Sequence, residues 1–393
     1  MSGALADVLV LDATREFWAS LAAALLGDFG ARVIRIEDVS HGGDGGQPSW
    51  DEQYELANRN KLSLAINQDA PEGRDILEQL IAKADVFLTD APLRVAAANG
   101  LDYASLARLK QDLVYARGSG FGPKGPDRDR VALDELAAAR TGLMPILPQP
   151  GQPPVYTGAG QMYTSVMLAF GVVTALWHRD QTGEGQEVDA SLFAGNMYGA
   201  SLDIQAFLAM GGERFLQPVS RLDAGNPMSG TLYPTQDGRW VTLTMPDTDR
   251  WWPGLAEITE IDPGDPRFDS HEKRCETNRL ELIEVLERAF QQRPAEHWRR
   301  RFSDLQLSAD VIEDYSYPAE DEQALRNRFI LELEHPSFGR RKALGFPLFM
   351  SDTPARWRRM APCNGQHSAE ILGELLGKAE DEIVRLQDAG VVA

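Results

Sequence analysis

The stretch "DVLVLDATREFWASLAAALLGDFGARVIRIED", residues 7–38, decides the fold. It begins with a short β-branched run, continues as an apolar helical pattern that ends at Gly30, and closes with a second β-branched run. Two strands joined by a helix form a βαβ unit, which is the building block of a parallel sheet. The turn after the first strand lacks the GxGxxG pattern, so a dinucleotide site of the usual kind is not predicted.

The same alternation of strand and helix patterns continues to about residue 122. Strand patterns lie at 61–67, 85–91 and 113–122, and helical patterns lie at 70–84 and 102–111. Strands separated by helices of this length predict a parallel, doubly wound α/β sheet. The later stretch at 160–185 is long and apolar enough to predict a buried helix, and a second buried helix follows it.

From about residue 225 the pattern changes. The segment "SGTLYPTQDGRWVTLTM" contains two strand-like runs joined at "QDG", which indicates a hairpin. A charged helical region follows, to about residue 302. This part of the chain predicts a smaller α+β domain.

Composition narrows the possible partners. With 39 Lys and Arg against 59 Asp and Glu, the net charge is −20, which repels nucleic acids. Cys275 and Cys363 are far apart and have no Cys/His cluster, so neither a disulfide framework nor a metal site is predicted. The N-terminal apolar run is too short for a signal peptide or a membrane helix. We therefore expect a cytoplasmic protein that binds neither nucleic acid nor membrane.

Nine segments, taken in order, resemble the family III CoA-transferases, also called the CaiB/BaiF family. They are "VLVLDAT", "LLGDFGARVIRIE", "NRNKLSLAIN", "PEGRDILEQLIAKADVFL", "NGLDY", "GSGFGPKGP", "TGEGQEVDASL", "DGRWVTL" and "NGQHSAEILGEL". The resemblance implies a large α/β domain built from both ends of the chain, with a small domain inserted. It also implies that two chains thread through each other as interlocked rings, in an obligate dimer.

On this basis we expect the following domain organisation. The large Rossmann-like domain comprises 1–205 and 335–393, the small α+β domain comprises 225–325, and the linkers are 206–224 and 326–334.

The family nucleophile is an Asp that follows a Gly at the start of the helix before the TGxGQ turn. Its carboxylate attacks the acyl-CoA thioester to give a mixed anhydride and CoA thiolate. The thiolate then forms an aspartyl-CoA thioester, which the acceptor carboxylate displaces. Counting back without a gap from "TALWHRDQTGEGQ" places Gly160-Gln161 on this Gly-Asp pair. An amide oxygen is too weak a nucleophile for this route, so we expect Gln161 to be inactive in it.

Two other roles for Gln161 remain open at this stage. It can be a hydrogen-bonding residue that caps the helix, or an oxyanion donor in a different chemistry. A locally shifted alignment would not restore the nucleophile, since no Asp or Glu lies between Glu135 and Asp180. The racemase branch of the family pairs the Asp with a His, and the corresponding stretch "RDRVALDELAAARTG" has none, which disfavours racemase activity.

The resemblance makes coenzyme A or acyl-CoA a substrate, with no covalently bound cofactor. It places the CoA pocket at Glu16, Phe17, Asp90 and Ala91, where this sequence departs from the family. The stretch "REFWAS" replaces an apolar-Ala-Gly-Pro turn and introduces bulky Phe17 and Trp18, while "TDAPLR" replaces an Asn-Phe-x-Pro-Gly loop. We expect a degenerate pocket, which this chain does not necessarily use for binding CoA.

Acidic side chains at two further positions also lead us to expect a degenerate CoA pocket. Asp38 and Asp69 stand where some relatives have basic residues, and CoA carries three phosphate groups. Lys61, Arg94 and Lys124 are the basic residues that could contact those phosphates instead.

Three functions follow from these residues. The first is the non-catalytic half of a heteromeric CoA-transferase of the benzylsuccinate type, in which a homologous partner supplies the Asp. The second is a homodimer with altered acyl-CoA chemistry, such as a lyase or isomerase, with Glu16 and Asp90 as acid/base candidates. The third is a ligand-binding pseudoenzyme. Filling of the CoA channel by Phe17 and Trp18 would argue against the second.

Overall fold

The computed structural model describes residues 3–39, 51–211 and 217–393. The chain divides into two compact units. The first consists of Met1–Met144, Tyr156–Gly211 and Arg328–Ala393, and the second of Pro145–Val155 and Gly212–Asn327.

A six-stranded parallel sheet forms the centre of the first unit. Its strands are β1 (Leu9–Ala13), β2 (Arg32–Asp38), β3 (Lys61–Ile66), β4 (Val86–Thr89), β5 (Val114–Ser119) and β6 (Glu187–Ser191). The spatial order is β3-β2-β1-β4-β5-β6, and every neighbouring pair is parallel. The α/β class and the parallel sheet predicted from the sequence are confirmed. The order reverses between β1 and β4, which makes the gap between their carboxyl ends the switch point of the fold.

Helices cover both faces of this sheet. They are α1 (Phe17–Asp28), α2 (Glu52–Asn58), α3 (Pro71–Ile81), α4 (Leu93–Ala98), α5 (Tyr103–Leu109), α6 (Asp134–Ala138), α7 (Gly160–Thr182), α8 (Leu192–Gly199) and α9 (Ser201–Met210). Two more helices, α14 (Ser368–Leu376) and α15 (Glu380–Asp388), come from the C-terminal part, with a hairpin of strands β10 (Ile330–His335) and β11 (Gly339–Leu344).

Local sequence explains where several helices begin. Proline occupies the first turn of α3, where its missing N–H leaves no helical bond unmade. The Asp102 side chain accepts a bond from the Ser105 amide and caps α5, and the Ser191 hydroxyl does the same for α8 through the Ala194 amide. Buried apolar residues of α3, including Ile76 and Leu80, then pack on one face of the sheet.

Buried ion pairs hold the sheet to its helices. The Lys61 ammonium lies 2.6 Å from Asp12 Oδ2, and both side chains are fully buried. It also donates to the carbonyl and hydroxyl oxygens of Ser20 in α1. Burial lowers the pKa of Lys61 to about 8, while the charge of Asp12 acts in the opposite direction. Removing either partner would leave the other buried charge without its direct counter-charge.

The long helix α7 differs from its sequence-based prediction. One face is buried, with Leu168, Val172 and Leu176 packed in the core beside α1 and the sheet. The other face carries exposed apolar side chains: Tyr163, Val166, Phe170, Val173 and Trp177. Helix α9, predicted to be buried as well, has no buried residue. Apolar composition alone does not show which faces of a helix its own chain covers.

By length and composition alone, α7 is the one helix of the described residues that could cross a membrane. Its inner face packs on the sheet, as in the core helix of a globular unit. The expectation of a cytoplasmic protein stays a prediction.

The second unit has its own core. Its antiparallel sheet is formed by β7 (Ser229–Pro234), β8 (Trp240–Thr244) and β9 (Ala309–Ile312), with β8 in the centre. Its helices are α10 (Thr248–Thr259), α11 (Arg279–Phe290), α12 (Ala295–Asp304) and α13 (Glu322–Arg326), with one π-helical turn at 273–277. Aromatic side chains, among them Tyr233, Phe290 and Trp298, fill the space between sheet and helices. The hairpin predicted at "QDG" is the β7–β8 pair.

Candidate functional site

The residues assigned to the CoA pocket from the sequence lie at the switch point of the parallel sheet. Glu16 and Phe17 follow β1, and Asp90 and Ala91 follow β4, its neighbour. All four residues are partly buried. In open α/β sheets this crevice is the usual place for a ligand. The fold therefore brings together two short segments that are far apart in the sequence.

Asp90 bridges the two segments. Its Oδ2 atom accepts hydrogen bonds from the backbone amides of Arg15 (2.8 Å) and Glu16 (2.6 Å), at the start of α1. Burial raises the pKa of Asp90 to about 6, and the two amide bonds offset part of that rise. An anion at a helix N-terminus is stabilised by the free N–H groups there. In this chain the anion is a side chain of the protein itself.

Trp18 fills the space beside this bridge. Its side chain is 5% exposed and packs with Ala137 and Leu192, with Phe17 at the edge of the cluster. The indole lies directly on β5 at Gly118, where an added Cβ atom would come within 2.6 Å of Trp18 Cη2. Real Cβ atoms do not make contacts that short, so the ring fits only because residue 118 has no side chain.

Gln161 is in the first turn of α7, beside the start of α1. Its carbonyl oxygen accepts a bond from Ser165 Oγ (2.7 Å), and the same hydroxyl reaches the Trp18 carbonyl at 2.6 Å. No side chain caps α7 at its N-cap, Ala159. The structure gives the Gln161 amide group no hydrogen bond to the described residues. The capping role of Gln161 considered from the sequence stays a prediction.

A buried carboxylate next to Gln161 was missed by the sequence reasoning. Asp134 accepts a bond from the Tyr156 hydroxyl at one oxygen and from Asn196 Nδ2 at the other, both at 2.7 Å. Asn196 in turn packs so tightly on Gly160 that a Cβ atom there would overlap its amide. Burial and the adjacent Asp134 raise the pKa of the Tyr156 hydroxyl. Only the fold reveals this group, because its partners are distant in sequence.

The basic residues suggested as phosphate contacts have other positions. Lys61 is fully buried in its ion pair with Asp12, so that suggestion is wrong for this residue. Arg94 and Lys124 are exposed. His367 accepts the Ser63 amide at Nδ1, which ties the C-terminal segment to the edge of β3. Burial lowers the pKa of His367.

Comparison with known proteins identifies the family. The model of CoA-transferase family III matches residues 5–368. The chain belongs to this family. Its members use CoA thioesters as substrates, and no covalent cofactor is indicated.

Curated family members match over nearly the full chain. A (R)-2-hydroxy-4-methylpentanoate CoA-transferase of Clostridioides difficile is 29% identical over 403 residues, covering 99% of both proteins. A cinnamoyl-CoA:phenyllactate CoA-transferase of Clostridium sporogenes is also 29% identical, covering 97% of this chain and 95% of the relative. A CaiB/BaiF family protein from Brucella suis has the same fold, with a TM-score of 0.82 at 23% identity; the match covers 95% of this chain and all of that one. The family III resemblance seen in the nine segments is confirmed.

Proposed function

We propose that this chain is the non-catalytic subunit of a family III acyl-CoA:carboxylate CoA-transferase, paired with a homologous subunit that carries the nucleophilic Asp. The observation that supports this most directly is Gln161. It is in the first turn of α7, at the position that the resemblance assigns to the nucleophile. A neutral amide cannot form the aspartyl intermediates of the family route.

The carboxylates near Gln161 do not offer a simple replacement. Both oxygens of Asp134 already accept hydrogen bonds, and its side chain is 6% exposed. Asp90 is engaged by two backbone amides. A nucleophile has to present a free oxygen lone pair to the thioester carbon in a reachable position. Burial keeps the Asp134 oxygens out of reach of a thioester, and the two hydrogen bonds lower their nucleophilicity.

The exposed face of α7 supports a partner subunit. Phe170 is 67% exposed and Trp177 is 68% exposed, and both are on the same face as Tyr163, Val166 and Val173. On α9, Leu202 and Leu208 are 86% and 69% exposed. Contiguous apolar patches of this kind mark interaction sites on monomers. We assign the face to a family III subunit that threads with this chain as an interlocked ring.

Asp90 supplies the observation in favour of the alternative, a homodimer with altered acyl-CoA chemistry. A carboxyl group with a pKa of about 6, next to Glu16 in a crevice, has the property expected of a general acid or base. The homodimer alternative requires that an acyl-CoA ligand reach the Asp90 carboxyl group.

Co-expression with an Asp-bearing homologue encoded beside this chain tests the proposal. We expect native mass spectrometry to show a heterodimer, and transferase activity that disappears when the partner's nucleophile is changed to Asn. Gln161→Ala in this chain is the matched variant and should leave the activity of the pair within about twofold of the unmodified value. Turnover by the chain alone, abolished by Gln161→Ala or Asp90→Asn, would refute the proposal.

A further inference from the structure

We propose that the switch-point crevice of this chain is closed from within. The Asp90 carboxylate and the Trp18 indole occupy the places that an anionic group and an apolar group of a ligand would take. It follows that the chain does not bind CoA, even if a nucleophile is restored at position 161. This deepens the proposed function, on which it rests.

The place of the anionic group is defined by the backbone amides of Arg15 and Glu16. Backbone N–H groups next to a helix N-terminus bind anionic groups of ligands. Here the two amides just before Phe17, the first residue of α1, both donate to a single oxygen of Asp90, at 2.8 and 2.6 Å. An anionic group of a ligand would have to displace this oxygen, and it would then lie beside the negative charges of Asp90 and Glu16.

The place of the apolar group is filled by the Trp18 indole. The ring is 5% exposed and has Gly118 beneath it and Ala137 and Leu192 around it. Interiors are close-packed, so a side chain fitted this closely leaves no room for a second group. A cavity of about 230 Å³ next to Gly3 and Gly30 lies at the amino ends of the strands, away from this crevice.

The two side chains are held by one short segment of backbone. Arg15 and Glu16 immediately precede α1, and Trp18 is in its first turn. This backbone is tied to β4 through Asp90 and to α7 through Ser165, which bonds the Trp18 carbonyl at 2.6 Å. These bonds fix the position from which the indole projects.

Isothermal titration of the full chain with CoA, repeated with inorganic pyrophosphate, tests this inference. For the unmodified chain and for Gln161→Asp we expect a dissociation constant weaker than about 1 mM. The double variant Trp18→Ala/Asp90→Ala removes the ring and the carboxylate, and it should bind CoA at least about tenfold more tightly. Asp102→Ala makes the same change at the helix cap of α5, away from the crevice, and should leave binding unchanged.

Two conservative variants guard against loss of folding. Trp18→Phe and Asp90→Asn keep a ring and a hydrogen-bond acceptor in place, and circular dichroism would confirm that they fold before titration. Micromolar CoA binding by the unmodified chain would overturn closure, while leaving open whether a partner performs the chemistry. Folded variants that all fail to gain CoA affinity would overturn it too. Activity of the chain without a partner would contradict the proposed function instead.

Discussion

The contact between Trp18 and Gly118 gives the most specific prediction about this fold. Gly118→Ala places a Cβ atom 2.6 Å from Trp18 Cη2, 2.8 Å from Cζ3 and 3.2 Å from Ala19 Cβ. Overpacking of this kind costs roughly 1–3 kcal/mol. Replacing Gly inside a strand recovers about 0.5–1 kcal/mol of backbone entropy. We therefore expect the substitution to lower the free energy of unfolding of the first unit by about 1–2 kcal/mol.

A double-mutant cycle isolates the cause. Trp18→Phe removes the ring atoms that the new Cβ meets, so Gly118→Ala should cost little in that background, with a coupling energy of about 1–2 kcal/mol. Urea unfolding followed by circular dichroism measures all four proteins. Gly373→Ala in α14 is the control, and it should raise the free energy of unfolding. Its new Cβ atom would meet nothing closer than 3.9 Å, and Ala favours the helix over Gly by about 0.5–1 kcal/mol. Additive effects, within about 0.3–0.5 kcal/mol, would show that the indole does not lie on β5.

Three further predictions concern buried polar groups. Lys61→Met leaves the Asp12 carboxylate buried without its counter-charge and should cost about 3–5 kcal/mol in urea unfolding, with part recovered by adding Asp12→Leu. The pKa of Asp90 is raised to about 6 in the folded chain. Folding therefore favours the protonated carboxyl more than the unfolded chain does. The unmodified chain should gain stability relative to Asp90→Asn as the pH falls from about 7 to about 4, and a pH-independent difference in thermal midpoints would contradict this. Tyr156→Phe removes one of the two bonds to Asp134 and should cost about 1 kcal/mol; no change in the unfolding midpoint would mean that this bond is not formed.

Much of the architecture was predictable from local pattern. Most strands of the parallel sheet are short runs rich in apolar and β-branched residues, and the longer crossover helices have their own periodicity, so neighbouring residues carry the information. Helices α2 and α4, of seven and six residues, were not predicted. Gln161 could be identified because the "TGEGQ" turn fixes the count back to it.

The state of the candidate site was not predictable in the same way. Asp90 meets the amides of Arg15 and Glu16 across 75 and 74 residues of chain. Lys61 looks like any other lysine in the sequence, and its burial follows from the position of β3 at one edge of the sheet with α1 and α2 above it. The exposed face of α7 carries apolar side chains, as its buried face does, so apolar content does not tell the two faces apart.

The sequence by itself determined the α/β class, the family and the absence of a carboxylate at position 161, because these depend on residue type and on short-range order. Only the tertiary structure decided that Asp90 binds the start of α1, that Trp18 lies on Gly118, and that Asp134 is engaged at both oxygens. These contacts join segments that are distant in the chain. Such contacts form where the order of strands in the sheet brings their loops together, and neither propensity nor periodicity encodes that order.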